Sequence, residues 1–241
     1  MSKLRVEKVY KQYNRRFVVN GISIEISRGE IVGFLGPNGS GKTTTFYIIV
    51  GIVSPDGGNV FFDDKNITNL PIYKRAQLGI GYLPQEHSVF RSMSVEDNVK
   101  CILELKGYIG KELNKRTDEV LDYMGLTKVR KTIASALSGG EKRRLEVARM
   151  IALEPSFLLL DEPFTGIDPI AINDIQNIVR MLREDKNIGV LITDHNVRET
   201  LKIVDRAYII HNGEIMIEGD AGTLINDPKA REIYLGQSFD I

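Results

Sequence analysis

Near the start of the chain, Gly36-Pro37-Asn38-Gly39-Ser40-Gly41-Lys42-Thr43 fits the phosphate-loop pattern G-x-x-x-x-G-K-[ST]. Glycines at this spacing let successive backbone N–H groups turn inward around phosphate oxygens, and the first turn of a following helix adds positive partial charge. Lys42 is placed to reach β- and γ-phosphates and the Thr43 hydroxyl to coordinate Mg²⁺; Thr44 is taken with the same nucleotide-binding set. The context agrees, since the apolar run Ile31-Val32-Gly33-Phe34-Leu35 precedes the loop and a helical run from about 41 to 53 follows it.

A pair of acids completes the chemistry. Asp161-Glu162 follows the apolar run Phe157-Leu158-Leu159-Leu160, so both carboxylates leave the C-terminal end of a buried strand, where open α/β sheets bind their ligands. Asp161 would hold Mg²⁺, directly or through water, and Glu162 would face the γ-phosphate and polarise the attacking water as general base. Alone, the pair reads equally well as an acidic cap before Pro163; beside a phosphate loop that reading recedes.

Leu137-Ser138-Gly139-Gly140-Glu141 supports two compatible readings. Ser138 with Glu141 three residues on is a capping box that opens a helix over 142–153. The same helix start, with two glycines and a serine hydroxyl, makes a second anion site. This segment resembles the signature of ATP-binding-cassette ATPases, whose commonest form ends in Gln rather than Glu.

The resemblance implies further roles, each on a matching residue. Tyr13 would stack on adenine. Gln85, after Gly81-Tyr82-Leu83-Pro84, would touch Mg²⁺ and the attacking water. Asp168, in Gly166-Ile167-Asp168-Pro169 where Ala-Leu-Asp is commoner, would contact a second subunit. His195, in Thr193-Asp194-His195, would hydrogen-bond the γ-phosphate. The catalytic set is then Glu162, His195, Gln85 and Lys42, with Thr43, Gln85 and Asp161 for the metal. The resemblance also implies ATP and Mg²⁺ as cofactors and a head-to-tail homodimer. Each ATP would lie between one copy's phosphate loop and the other's Ser138, Gly139 and Gly140. His87 and His211 read as ordinary residues, and Lys142-Arg143-Arg144 as a solvated face with Glu146 and Arg149 offering local ion pairs.

The elements that must position these groups follow from pattern. Alternating apolar residues over 1–35 predict short strands, the last one buried. Ser94 opens a helix; Leu113, Thr117, Val120, Leu121 and Met124 share a helical face that Gly125 ends. Phe157–Leu160 and Gly189–Ile192 suit a buried parallel sheet, with helices over 170–184 and 197–204 between strands. Asn212-Gly213 marks a hairpin. The expected fold is an α/β phosphate-loop NTPase core, a mixed sheet with flanking helices. To it are joined an N-terminal antiparallel β subdomain and an α-helical subdomain inserted over about 86–155, all within one ATP-binding domain spanning 1–241.

Composition sets the frame. The chain has 241 residues, 32 Lys+Arg against 32 Asp+Glu, and 42% hydrophobic residues, the profile of a globular protein rather than a disordered or coiled-coil one. Balanced charge argues against a general nucleic-acid binder. The single cysteine, Cys101, cannot form an internal disulfide and reads as a small buried residue in a reducing compartment. No apolar stretch approaches the roughly 20 residues of a membrane span. A single cassette with no heptad pattern between Lys42 and Ser138 suits the detachable motor of a transporter.

Within the cassette family, the stretches 83–91, 160–169, 191–201 and 234–239 resemble the ATPases of lipopolysaccharide exporters. That resemblance implies a cytoplasmic chain on the inner-membrane face, with transmembrane partners of the LptF and LptG kind and LptC associated. Phe90 and Arg91 would line the groove that seats a coupling helix. The alternatives are a branched-chain amino-acid importer ATPase and a soluble cassette acting on nucleic acid or the ribosome.

Overall fold

The apolar alternation of the first residues builds a long hairpin. In the computed structural model, which describes residues 2–86, 88–166 and 169–236, β1 (Lys3–Tyr13) and β2 (Arg16–Ser27) pair antiparallel from Lys3↔Ser27 to Tyr13↔Arg16. Leu4, Val6 and Val9 face the core with Ile22, Ile24 and Ile26. These strands run longer than their sequence suggests for two reasons. Register shifts between Val6 and Tyr10 interrupt the alternation, and the turn uses Asn14 (φ 48°) and Arg15 (φ 64°) without a glycine. β4 (Gly57–Phe62) and β5 (Lys65–Asn66) extend the sheet in the order β2-β1-β4-β5.

The second sheet carries the chemistry. β3 (Ile31–Leu35), β6 (Ile80–Leu83), β7 (Phe157–Asp161), β8 (Gly189–Thr193), β9 (Arg206–His211) and β10 (Glu214–Gly219) stand in the order β10-β9-β3-β8-β7-β6. Pairing is parallel throughout except for the β9–β10 hairpin. Every residue of β3, β7 and β8 is buried, as apolar runs with helices on both faces require. Because β3, β8, β7 and β6 are neighbours, the segments after their C-terminal ends emerge side by side. Those segments hold the phosphate loop, His195, Glu162 and Gln85.

The helices are α1 (Lys42–Val50), α2 (Ile72–Gln77), α3 (Val95–Leu105), α4 (Gly110–Tyr123), α5 (Gly139–Ile151), α6 (Pro169–Lys186), α7 (Val197–Leu201), α8 (Ala221–Asn226) and α9 (Pro228–Ala230). A π-type turn over Arg231–Leu235 follows. Alternate residues of β7 serve two cores: Leu158 and Leu160 pack with Val99, Leu121 and Leu145 of the helices, Phe157 and Leu159 with Phe46 and the N-terminal sheet. Three consecutive helices, α3 to α5, lie between β6 and β7. Helix α7 stops at Leu201, short of the expected 204, because Asp205 turns in to join β3. Its carboxylate accepts the Ile31 N–H at 2.8 Å, and its own N–H donates to Ile31 O at 2.8 Å. Cys101 is half-buried. Among the described residues no helix is long and apolar enough to cross a membrane.

Candidate active site

The phosphate loop is built where backbone packs so closely that side chains are excluded. A Cβ on Gly36 would overlap the Ile210 carbonyl. Gly41, at φ 108°, precedes α1 in a conformation L side chains rarely adopt, and a Cβ there would overlap the Val18 carbonyl. The Gly213 N–H donates to Ser40 O at 2.9 Å, so the β9–β10 turn braces the loop. No side chain caps the N-terminus of α1 and its first turn carries no acid, which leaves its amides free for an anion.

Lys42 is buried, and its Nζ donates to the carbonyls of Gly36 (2.7 Å) and Pro37 (3.0 Å). Burial lowers its pKa, against the upward pull of Glu162, Asp161 and Asp194. A cavity of about 140 Å³ lies here, walled by Gly39, Gly41, Lys42, Thr43, Thr44 and Glu162. A larger one, about 680 Å³, opens beside it between Phe17, Val18, Pro37 to Ser40, His211 and Asn212.

Just past β7, Glu162 closes the small cavity, and Asp161 precedes it. Asp161 is buried; its Oδ2 accepts from the Tyr82 hydroxyl at 3.1 Å, while Oδ1 has no hydrogen-bond partner among the described residues. Burial raises the Asp161 pKa, with the Tyr82 hydrogen bond opposing. An orphaned, buried carboxylate oxygen is an oxygen donor of the kind that fits a hard cation such as Mg²⁺.

Glu162 holds a left-handed backbone (φ 47°), a strain its N–H bond to Thr193 O at 2.8 Å maintains. Its Oε2 lies 3.2 Å from Thr165 Oγ1 and 3.6 Å from His195 Nδ1. Asp194, wholly buried, accepts from the N–H groups of Phe164 and Asn196, each at 2.8 Å, and so clamps the turn after Glu162 to the end of β8. Gln85 is exposed two residues beyond β6, whose Leu83 pairs with Leu160.

This arrangement can hold a nucleoside triphosphate and present a carboxylate to its terminal phosphate. The family model described as ABC transporter matches residues 19–165. The chain belongs to the ABC transporter family.

The Lipopolysaccharide export system ATP-binding protein LptB of Acidithiobacillus ferridurans is 50% identical over 238 residues, covering 99% of this chain and 98% of that one. The protein of the same name in Escherichia coli K12 is 47% identical over 240 residues, covering 99% of each. A crystal structure of an ATP-binding cassette of an ABC transporter in its ADP conformation superposes with a TM-score of 0.88 at 31% identity, covering 98% of this chain and all of that one. A dimeric cassette in a post-hydrolysis state with ADP and Pi gives 0.79 at 25% identity, covering 90% and 98%. This ABC transporter ATPase therefore binds nucleotide and couples its hydrolysis to transport.

Other expected residues fall elsewhere. Ser138 caps α5 in the full capping box: its Oγ accepts from the Glu141 N–H at 3.3 Å and Glu141 Oε2 accepts from the Ser138 N–H at 2.9 Å. Ser138 and Gly139 are exposed, Gly140 is half-exposed, and neither cavity at the phosphate loop includes them. Tyr13 lines neither cavity. Phe17, which follows the turn and pairs Gln12 on β1, lines the larger one; only the hairpin register would have singled it out. His211, read as ordinary, lines that cavity too. Asp168 and His87 lie outside the described residues.

The basic cluster needs correcting. The expected local ion pair with Glu146 is present, Arg143 meeting it at 3.0 Å, but both are buried, as is Arg149; of the cluster only Lys142 and Arg144 are half-exposed. The body of α5 packs under residues on either side of Gln85. Arg143 donates to Pro84 O (3.3 Å), Glu146 accepts from the Ser88 N–H (2.8 Å), and Arg149 donates to Ser88 O. The Arg149 guanidinium also lies 4.3 Å from the Phe90 ring centroid. Phe90, 44% exposed, has its N–H and carbonyl both held by the Asn98 side chain at 2.8 and 3.0 Å. Arg91 is exposed beside it.

Proposed function

We propose that this ABC transporter ATPase powers lipopolysaccharide export, drawing lipopolysaccharide from the inner membrane toward the outer one. The observation that carries the reading is similarity at 46–50% identity, over 98% or more of each chain, to relatives that bear that name. The chain would work on the cytoplasmic face of the inner membrane with LptF and LptG as transmembrane partners and LptC associated. The exposed ring of Phe90 and the head of Arg91 form the seat for a coupling helix.

In the reaction, Glu162 takes the proton of the attacking water while His195 and Lys42 bond the γ-phosphate. The strained Glu162 backbone and the Thr165 hydroxyl keep its carboxylate aimed. Thr43, Asp161 and Gln85 would hold Mg²⁺, which neutralises charge on the β- and γ-phosphates when bound. Tyr13 stacks on adenine. Ser138, Gly139 and Gly140, with Asp168, act on the nucleotide held by a second copy placed head to tail, and the helices over about 86–155 form the subdomain that carries them across.

Reconstitution of the full chain with LptF, LptG and LptC in lipopolysaccharide-loaded proteoliposomes should give ATP-dependent lipopolysaccharide release. A chain carrying Phe90→Ala and Arg91→Ala should bind ATP yet fail to co-purify with LptF and LptG. Undiminished recovery would remove the seat, and no release by the unmodified chain would remove the cargo.

A further inference from the structure

The last described turn of the chain reaches back into the site. Asp227 caps α9 by accepting the Ala230 N–H at 2.7 Å, which sends the chain toward the ends of β3 and β8. Ala230 is buried with Leu35, Val197, Leu201 and Ile209, and Tyr234 packs on this cluster. Its hydroxyl stands between two loops of the site. It stands near the N–H of Gly36, the first residue of the phosphate loop, and lies 3.5 Å from the carbonyl oxygen of Asp194, the residue before His195.

That place matters because His195 has little to hold it. Its ring is 55% exposed, with Thr165 Oγ1 at 3.2 Å its near partner. The position of the imidazole is therefore set by the main chain at Asp194. The Asp194 carboxylate is tied to Phe164 and Asn196, and its carbonyl faces Tyr234. A phenol can accept and donate at once. Burial pushes the Tyr234 hydroxyl up to about 12, so it keeps its proton at neutral pH. A separation of 3.5 Å is long for an O–H···O bond, and bonds at such sites tighten when substrate draws the loops together.

We propose that Tyr234 is a positioning residue for ATP hydrolysis, its hydroxyl setting the spacing between the start of the phosphate loop and the peptide that carries His195. This rests on the reading of His195 as a γ-phosphate contact. It makes the C-terminal turn part of the catalytic architecture.

Tyr234→Phe removes one oxygen and leaves the packing. In the full-length chain, steady-state hydrolysis of Mg·ATP by this variant should show kcat lowered about 3- to 10-fold, the range of one hydrogen bond. KM and the melting temperature should stay near the unmodified values. His195→Ala and the double variant complete a cycle: a tie acting through His195 makes the double variant no slower than His195→Ala alone. Unmodified kcat in Tyr234→Phe, a lower melting temperature with unmodified kcat, or losses that multiply in the double variant would each overturn the proposal. Unmodified kcat in His195→Ala would instead overturn the assignment of His195.

Discussion

Two glycine-rich segments each open a helix, and they are finished in opposite ways. At Gly36–Gly41 the backbone is walled by Ile210 and Val18, the N-terminus of α1 has no side-chain cap, and buried Lys42 lends its Nζ to the loop's own carbonyls. At Ser138–Gly140 the N-terminus of α5 is capped from within by Ser138 and Glu141, the segment is exposed, and a Cβ on Gly139 would meet open space. The first is an anion site whose unmet amides call for phosphate. The second satisfies itself and turns outward, so a phosphate reaches it only when another body brings one. On the proposed reading one chain carries one built nucleotide site and one half-site, so two copies would be needed to complete each site.

The comparison can be broken most forcefully at Glu162. Glu162→Gln should lower hydrolysis at least about 100-fold while ATP binding survives, and the ATP-bound variant should elute as a dimer in size-exclusion chromatography. A rate equal to the unmodified chain's would show that the base lies elsewhere. Next is Lys42→Ala, for which calorimetry should find ATP bound about 10- to 100-fold more weakly, the range of a charged hydrogen bond.

Ser138→Asp sharpens the contrast. Asp caps a helix as well as Ser, so melting should hold, yet a carboxylate facing phosphate should cost pairing and lower hydrolysis about tenfold or more. If ATP still drives the dimer, the exposed half-site is not the one used.

The smallest effect concerns the scaffold behind that half-site. Glu96 on α3 is bonded by Lys131 and Arg130, and these bonds hold its pKa below the usual carboxylate value. A depressed folded-state value means stability that is present at neutral pH and lost as pH falls through it. Glu96→Gln should therefore destabilise by about 1 kcal/mol at pH 7, the difference fading below about pH 4 in denaturant titrations.

Much of the site was legible because its motifs are contiguous and each sits at a strand end the apolar pattern marks. The phosphate loop, Asp161-Glu162 and His195 are of this kind. Phe17 was not, since it reaches the larger cavity through a hairpin whose turn, Asn14-Arg15, lacks the usual glycine. Nor were Arg143, Glu146 and Arg149. Charged residues at helical spacing read as a wet face unless something covers them, and here Pro84, Ser88 and Phe90 do.

By itself the sequence determined the local devices: glycines where backbone must crowd, a capping box three residues wide, runs apolar enough to be buried on both sides. Tertiary structure decided which of those devices meet. Strand order β3-β8-β7-β6 brings together residues more than a hundred positions apart. Short-range steric and hydrogen-bonding rules act over a few residues, whereas such meetings depend on how distant apolar faces pair, which no local spacing encodes.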